Sequence, residues 1–188
     1  KGSQVGLVGT TGCGKTTLGK LLVNYFNLKN VPCKSVGNIY YHDGETQFDI
    51  TAKNYRDRFN IQPIQMIFQN PKITLDLKMK AYDQLREAIL IKKNLAREDI
   101  KEAVYEAAKR FKLEEKLDTT PGNMSGGERR RLGLAKIIAT EPKIIIADEP
   151  VASLDVSIKH EIMDIILGLK KKGCTLIIIS HDIDLIKK

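Results

Sequence analysis

A glycine-rich stretch near the start of the chain has the residue types and spacing of a phosphate-binding loop. It reads Gly-Thr-Thr-Gly-Cys-Gly-Lys-Thr over residues 9–16 and fits the pattern G-x-x-x-x-G-K-[ST]. The backbone N–H groups of such a loop surround an anion, and the helix that follows adds the positive end of its dipole. We expect Lys15 to reach the β- and γ-phosphates of a nucleoside triphosphate, and Thr16 to place its hydroxyl on Mg²⁺. The predicted phosphate-binding residues are Gly9, Thr10, Thr11, Gly12, Cys13, Gly14, Lys15, Thr16 and Thr17.

Two adjacent acids, Asp148 and Glu149, follow the apolar residues 144–147. An acid at the end of a buried strand can hold Mg²⁺ through its water shell. The second acid indicates hydrolysis, because Glu149 can orient or deprotonate an attacking water. The alternative is that both acids merely end a strand; the phosphate-binding loop upstream favours the chemical interpretation.

A second candidate anion site is the stretch Ser125-Gly126-Gly127-Glu128, which precedes a helical pattern. Ser at the N-cap with Glu three residues later is a capping box, which is a purely structural explanation. Capping does not require two consecutive glycines, however, and these leave backbone N–H groups accessible to an anion. One chain has little use for two such sites around one nucleotide, so we expect two chains to face each other.

His181, which follows a predicted strand, is either structural or contacts the γ-phosphate.

The elements that would position these residues alternate between strands and helices. Apolar runs and helical spacing predict strands over residues 4–8, 64–68, 143–147 and 174–179, and helices over 17–23 and 156–171, the latter ended by Gly173. This alternation predicts an α/β fold with a mostly parallel sheet and ligands at the carboxyl ends of its strands. The glycine loop, Gln69, Asp148 and His181 all follow predicted strands and should meet there. A strand before the loop and a helix after it also argue against a glycine-rich turn that binds nothing.

Residues 27–62 follow a less regular pattern. Residues 35–41 and 46–50 predict short strands around a turn that contains His42, which is interpreted as a turn residue and not as a ligand. At the other end of the chain, a further helix is predicted from Asp182 to Lys187.

Residues 79–139 have long helical patterns and no strong strand. The predicted helices cover 81–93, 99–111 and 125–139. We therefore predict a single domain over 1–188, with an α/β core formed by 1–78 and 140–188. The remaining stretch, 79–139, is predicted to be a helical lobe inserted between strands of that core.

Composition excludes several classes of protein. The chain has 188 residues with a formal net charge of +8, and this length suits one well-buried domain. The lysines are spread along the chain without interleaved aromatic residues, so no direct nucleic-acid binding is expected. Three scattered cysteines fit reduced thiols better than a disulfide framework or a zinc site. The apolar runs are strand-sized and no signal peptide is visible, so no membrane span is expected.

Taken together and in this order, the residues above resemble the nucleotide-binding domain of ABC-type ATPases over nearly the whole chain. The matching motifs are Walker A (residues 9–16), the Q-loop glutamine (Gln69), the signature motif usually written LSGGQ (124–128), Walker B (144–148), the catalytic glutamate (Glu149), the D-loop (152–155) and the switch histidine (His181). The resemblance implies that two domains pair head to tail, with ATP and Mg²⁺ between Walker A of one and the signature motif of the other. The roles that it implies are Mg²⁺ binding by Thr16, Gln69 and Asp148, catalysis by Glu149, His181 and Gln69, nucleotide contact by Ser125, Gly126, Gly127 and Glu128, and signalling across the interface by Asp155.

A finer resemblance, to the ATPases of peptide and nickel importers, lies in residues 68–79 and 147–158. It implies import of a peptide-like or metal-related solute through transmembrane permease subunits, with this chain peripheral on the cytoplasmic face of the cell membrane. The alternative is a soluble ABC-type ATPase that serves metabolism, repair or translation without a transporter. A P-loop kinase or GTPase would not need the Ser-Gly-Gly turn.

The chain also departs from the family pattern. Met124 replaces Leu in the signature motif, and Glu128 replaces Gln, which adds a charge near the nucleotide of the facing domain. The family has an upstream β-subdomain with an aromatic residue that stacks on adenine, but only eight residues precede Gly9 and none is aromatic. We therefore expect the N-terminal β-subdomain to be partly missing, the C-terminal extension after His181 to be absent, and the sequence to be partial.

Overall fold

Strands and helices alternate along most of the chain, as the sequence predicts. The computed structural model describes residues 2–29, 31–34, 36–42, 44–52, 63–70, 73–91, 95–152 and 154–181. Its strands are β1 (Gln4–Leu7), β2 (Tyr40–His42), β3 (Gln47–Asp49), β4 (Ile64–Ile67), β5 (Ile144–Asp148) and β6 (Thr175–Ile179). Its α-helices are α1 (Lys15–Leu22), α2 (Tyr25–Leu28), α3 (Ala81–Leu90), α4 (Arg97–Lys109), α5 (Gly126–Ala139) and α6 (Val156–Gly168).

The central sheet confirms the predicted α/β fold. Four strands pair side by side in the order β1-β6-β5-β4, and every pairing is parallel. Strands β2 and β3 form a separate antiparallel pair. Because all four strands of the larger sheet run in one direction, the residues that follow β1, β4, β5 and β6 share one edge of it.

Strands β4, β5 and β6 are buried on both faces, which explains why they are mostly apolar runs, whereas Val5 in the edge strand β1 is 51% exposed. Successive side chains of a strand point to opposite faces. Accordingly, Ile145 of β5 packs in the cluster that contains residues of α5 and α6, whereas Ile146 belongs to the cluster on the α1 side. Helix α1 approaches the sheet closely at Gly19, where an added Cβ would lie 3.1 Å from Met66 and 3.2 Å from Ile179. A side chain at this position would push the helix away from the sheet.

Residues 79–91 and 95–139 contain helices and no strand. Helices α3, α4 and α5 pack against one another through fully buried side chains that include Leu85, Val104 and Leu132. The same hydrophobic cluster continues into β5 and α6. The helices are where the sequence predicts them, and the division into a core and a lobe stays a prediction.

Several predicted element bounds are wrong. His42 is not a turn residue: it is the last residue of β2 and pairs with Gln47 of β3. Strand β2 begins at Tyr40, and the described residues 36–39 of the predicted strand 35–41 are not part of it, because Gly37 has a φ of 110°, outside the extended region of the backbone. Ser35 lies outside the described residues. The sequence pattern also does not predict the short helix α2.

Gly173, at a φ of 83°, ends the helical segment as predicted, although the last turn before it (Leu169–Lys172) is a 3₁₀ helix. The predicted helix from Asp182, the end of the predicted helix 81–93 beyond Ile91, and Ser153 of the D-loop lie outside the described residues.

Candidate active site

The glycine-rich loop connects the end of β1 to the start of α1. Gly12 and Gly14 have φ values of 84° and 98°, where an L side chain would be strained, so the turn requires glycine at these positions. Gly14 is the N-cap of α1, and no side chain caps the helix. The first N–H groups of α1 therefore have no side-chain acceptor, as expected of an anion-binding helix N-terminus.

The ammonium group of Lys15 lies against this loop. It donates hydrogen bonds to the carbonyl oxygens of Gly9 at 2.7 Å and Thr10 at 2.8 Å, and it is 3.7 Å from Sγ of Cys13. The structure thus brings together the lysine and the loop that the sequence assigns to one phosphate site. That they bind phosphate stays a prediction.

A short contact joins the start of α1 to the end of β5. The hydroxyl of Thr16 donates to Oδ2 of Asp148 at 2.7 Å, and Asp148 is only 3% exposed. A hydroxyl and a carboxylate oxygen are ligands that suit Mg²⁺, so this donor set fits the predicted metal. Gln69 follows the neighbouring strand β4 and is exposed; within the described residues its side chain makes no hydrogen bond to either of the other two.

Glu149 follows Asp148 at the same edge of the sheet and is held by its surroundings on several sides. Its φ is 47°, and its N–H donates to the carbonyl oxygen of Ile179 at 2.9 Å. One carboxylate oxygen, Oε2, accepts from the hydroxyl of Ser180 at 3.3 Å. The other, Oε1, accepts from the N–H of His181 at 3.0 Å and lies 2.6 Å from Nδ1 of its ring.

The structure thus brings Glu149 and His181 into contact. The sequence assigns the acid to the attacking water and the histidine to the γ-phosphate, and both roles stay predictions. The carboxylate side chain is 17% exposed and the histidine ring 78% exposed. The acid is thus held inside the edge of the sheet, while the ring lies on the solvent side. This geometry suits a carboxylate that orients or deprotonates a water molecule approaching from outside.

The Ser125–Glu128 turn forms the capping box that the sequence predicts. Glu128 N–H donates to Oγ of Ser125 at 3.2 Å, and Ser125 N–H donates to Oε2 of Glu128 at 2.7 Å. Lys116 forms an ion pair with Oε1 of Glu128 at 3.2 Å. The hydrogen bond from the Ser125 backbone, together with Lys116, lowers the pKa of the Glu128 carboxyl.

The glycine next to the cap is open to its surroundings. A Cβ built on Gly126 would have no atom within 4 Å other than those of its own helical turn. The turn is therefore both a structural cap and an accessible backbone surface. Asp155, the remaining predicted nucleotide-site residue, is the exposed N-cap of α6, and its side chain makes no capping hydrogen bond. Its carboxylate is thus not used to cap its own helix.

Sequence reasoning missed Arg130, which is 5% exposed and lies behind this site. Its guanidinium donates to the carbonyl oxygens of Gln69, Glu149 and Pro150. Burial lowers the pKa of Arg130, an effect that the carboxylates of Glu149 and Asp148 oppose. The available signal was helical spacing, because Arg130 lies four residues before the buried Leu134 on the inward face of α5.

The chain is similar to a known protein family and to curated proteins. Residues 1–152 match the family model described as "ABC transporter". Among curated relatives, the chain is 36% identical to the oligopeptide transport ATP-binding protein OppF of Streptococcus mutans, covering 100% of this chain and 59% of that protein. It is 32% identical to the dipeptide transport ATP-binding protein DppF of Escherichia coli, covering 100% of this chain and 54% of that protein. The chain thus spans less than two-thirds of each of these relatives.

Solved structures support the same fold. A dimeric, post-hydrolysis structure of the ATP-binding cassette MJ0796 bound to ADP and Pi superposes with a TM-score of 0.81 at 23% identity, over 99% of this chain and 78% of that one. A second dimeric structure of this cassette gives a TM-score of 0.80 over 100% of this chain and 78% of that one. None of the helices in the described part of the chain combines the length and the apolar character that a bilayer crossing requires.

Proposed function

This chain belongs to the ABC transporter family, and from that membership we propose that it binds and hydrolyses ATP to drive a peptide importer. The observation that carries the proposal is the edge of the sheet where Thr16 contacts Asp148 and the Glu149 carboxylate is held by Ser180 and His181. This edge combines a phosphate-binding loop, a donor set suited to Mg²⁺ and an acid suited to activate water. Those are the parts that hydrolysis of a nucleoside triphosphate requires.

Each residue would have a distinct role. The loop amides and Lys15 would hold the phosphates, and Thr16, Gln69 and Asp148 would hold Mg²⁺. Bound Mg²⁺ neutralises charge on the phosphate oxygens. Glu149 would orient and deprotonate the attacking water, with the histidine at 181 fixing the carboxylate and contacting the γ-phosphate.

We propose that the working unit is a head-to-tail pair of such domains. The Ser125–Glu128 turn of one domain would close the nucleotide site of the other, and Asp155 would link the two sites. The open surface at Gly126 supports this arrangement, because an accessible helix N-terminus suits an anion brought by a facing chain. In this proposal each domain consists of an α/β core (1–78 and 140–188) and a helical lobe (79–139).

The names of the relatives support peptide transport as the coupled process. The two relatives described above are peptide-transport ATP-binding proteins at 32–36% identity over the full length of this chain. We therefore propose membrane permease subunits as partners and a peripheral position on the cytoplasmic side of the membrane. The rival is an ABC-type ATPase without a transporter; co-purification with soluble enzymes and with no permease would favour it.

Substitution of Glu149 by Gln tests the ATPase proposal directly. The amide keeps the shape of the side chain but cannot accept a proton, so we expect turnover to fall by about 100-fold or more. ATP binding should persist, and the variant should accumulate as an ATP-bound pair. Steady-state hydrolysis and light scattering after size-exclusion chromatography, with and without ATP, measure both effects.

Glu161→Gln is the matched control, because Glu161 forms an ion pair with Lys112 that is partly exposed to solvent. It should hydrolyse ATP at the normal rate. A Glu149→Gln variant that also retained normal turnover would show that Glu149 is not the base. Absence of ATP binding to the unsubstituted protein would refute the proposal as a whole.

A further inference from the structure

A buried arginine connects three backbone segments behind the candidate active site. Arg130 is the fifth residue of α5, and its Nε donates to the carbonyl oxygen of Pro150 at 2.8 Å. Nη1 donates to the carbonyl oxygen of Gln69, and Nη2 donates to that of Glu149. A permanent charge buried to this extent is costly unless its donors are satisfied, and here each of the three nitrogens has an acceptor.

The three carbonyls belong to residues that the site depends on. Gln69 follows β4, and Glu149 and Pro150 follow β5, so the arginine bridges the ends of two neighbouring strands. At Glu149 the main chain adopts a φ of 47°, which is uncommon for a residue with a side chain. Three hydrogen bonds fix this backbone: the N–H donates to the carbonyl oxygen of Ile179, and the carbonyl oxygen accepts from the Ala152 N–H at 3.1 Å and from Arg130.

We propose that Arg130 is a positioning residue that makes the orientation of the Glu149 carboxylate depend on the placement of helix α5. Its guanidinium holds the Glu149 peptide from the carbonyl side, while Ser180 and His181 hold the carboxylate. Because α5 also carries the Ser125–Glu128 turn, a movement of that turn would be transmitted by one rigid guanidinium to the water-activating acid. This inference rests on the proposed role of Glu149 in hydrolysis.

Helix α5 supplies its own control. Lys136 lies farther along α5, is half-buried, and donates to the carbonyl oxygen of Thr74 at 3.3 Å. It is thus a second cation that joins α5 to a backbone carbonyl, but its bond does not involve Gln69, Glu149 or Pro150. If turnover fell only because α5 was held less firmly, it would fall after substitution of either cation. If Arg130 positions Glu149, turnover should fall only when Arg130 is substituted.

The test compares Arg130→Lys, Arg130→Gln and Lys136→Gln in the purified protein. A lysine retains the charge but cannot bond to three carbonyls in fixed directions. We expect both Arg130 variants to lower kcat by about 10- to 100-fold, as displacement of a catalytic group does. KM for ATP and the Kd of a non-hydrolysable ATP analogue should change by no more than about 3-fold, because the phosphate-binding loop is untouched. Lys136→Gln should change kcat by no more than about 3-fold.

A double substitution separates positioning from general damage. Adding Arg130→Lys to Glu149→Gln should cause no further loss of turnover, because the acid that the arginine positions is already disabled. Three results would overturn the proposal. They are a normal kcat in both Arg130→Lys and Arg130→Gln, a loss of kcat in Lys136→Gln as large as that in the Arg130 variants, and a full additional loss of turnover in the double variant. Circular dichroism checks folding, and unfolding of both Arg130 variants would assign the residue a purely structural role. Normal turnover in Glu149→Gln alone would instead refute the underlying assignment of the base.

Discussion

The two helix N-termini that the proposed mechanism brings to ATP use their polar side chains differently. At the start of α1, no side chain caps the helix, and Lys15 and Thr16 extend to other segments: the loop carbonyls and Asp148. At the start of α5, Ser125 and Glu128 bond to each other's backbone and complete the cap within one turn. At the start of α1, the side-chain hydrogen bonds can be replaced by bonds to a ligand. At the start of α5, the polar side chains already form their hydrogen bonds within the single chain.

This difference has an energetic consequence for pairing. A site with ordered, satisfied side chains loses little conformational entropy when a partner binds. At α5, association would cover mainly the open backbone near Gly126. At α1, a phosphate would compete with the carbonyl oxygens of Gly9 and Thr10 for the ammonium group of Lys15.

Removal of the Lys15 ammonium should produce the largest effect on the α1 side of the comparison. Lys15→Met deletes the charge-assisted hydrogen bonds to phosphate, and we expect ATP affinity to fall by about 100-fold, or roughly 3 kcal/mol. Calorimetric titration with ATP and Mg²⁺ measures the change. Lys20→Met is the control: this lysine is on the same helix, but its ammonium lies 5.4 Å from the ring centre of Tyr25. Equal losses in the two variants would mean that Lys15 has no specific role.

A side chain added at Gly126, at the start of α5, should impair the pairing of two domains without changing the stability of the single domain. A Cβ at position 126 would point into open space beyond its own helical turn, so we expect Gly126→Val to change the free energy of unfolding by less than about 0.5 kcal/mol. Because the branched side chain would project toward the facing chain, ATP-dependent pairing and turnover should fall by about 10-fold or more.

Gly168 provides the matched position, since it also has open space around its Cβ, at the far end of α6. Gly168→Val should leave pairing and turnover unchanged. Normal pairing of Gly126→Val would indicate that the Ser125–Glu128 turn does not meet a second chain.

The smallest expected effect concerns the ion pair that joins Glu128 to Lys116. The folded-state pKa of Glu128 lies below its ordinary value of 4.5, so its charge stabilises the fold above that pH. This contribution disappears as the pH falls through the lowered folded pKa. Glu128→Gln should therefore reduce the loss of stability in acid, and at pH 7 it should change the free energy of unfolding by less than about 1 kcal/mol.

Urea unfolding at pH 7 and at pH 3 to 4 measures this difference. Lys116→Met should give a similarly small effect, since the lysine side chain is 43% exposed and solvent weakens the pair. If the free energy of unfolding of Glu128→Gln fell in acid as much as that of the unsubstituted protein, other carboxyl groups would determine the acid dependence of stability.

Much of the fold follows from local patterns. The strands β4, β5 and β6 are apolar runs, and helix α5 begins at a capping box whose two partners are three residues apart. Two local errors have local causes: the φ of Gly37 shortens β2, and the hairpin turn begins after His42 and not at it. Helix α2 was missed because four residues are too few to display a helical period.

By itself, the sequence determined which chemical groups are available at the candidate site: a glycine loop with Lys15 and Thr16, two acids after an apolar strand, and a histidine after another. Those features depend on neighbours in the chain and on the rule that parallel strands end at one edge. Only the tertiary structure decided which groups touch. Thr16 and Asp148 are 132 residues apart, and Arg130 reaches carbonyls 61, 19 and 20 residues away. A backbone carbonyl is the same for every residue type, so a partner of this kind leaves no trace in the sequence until the chain is folded.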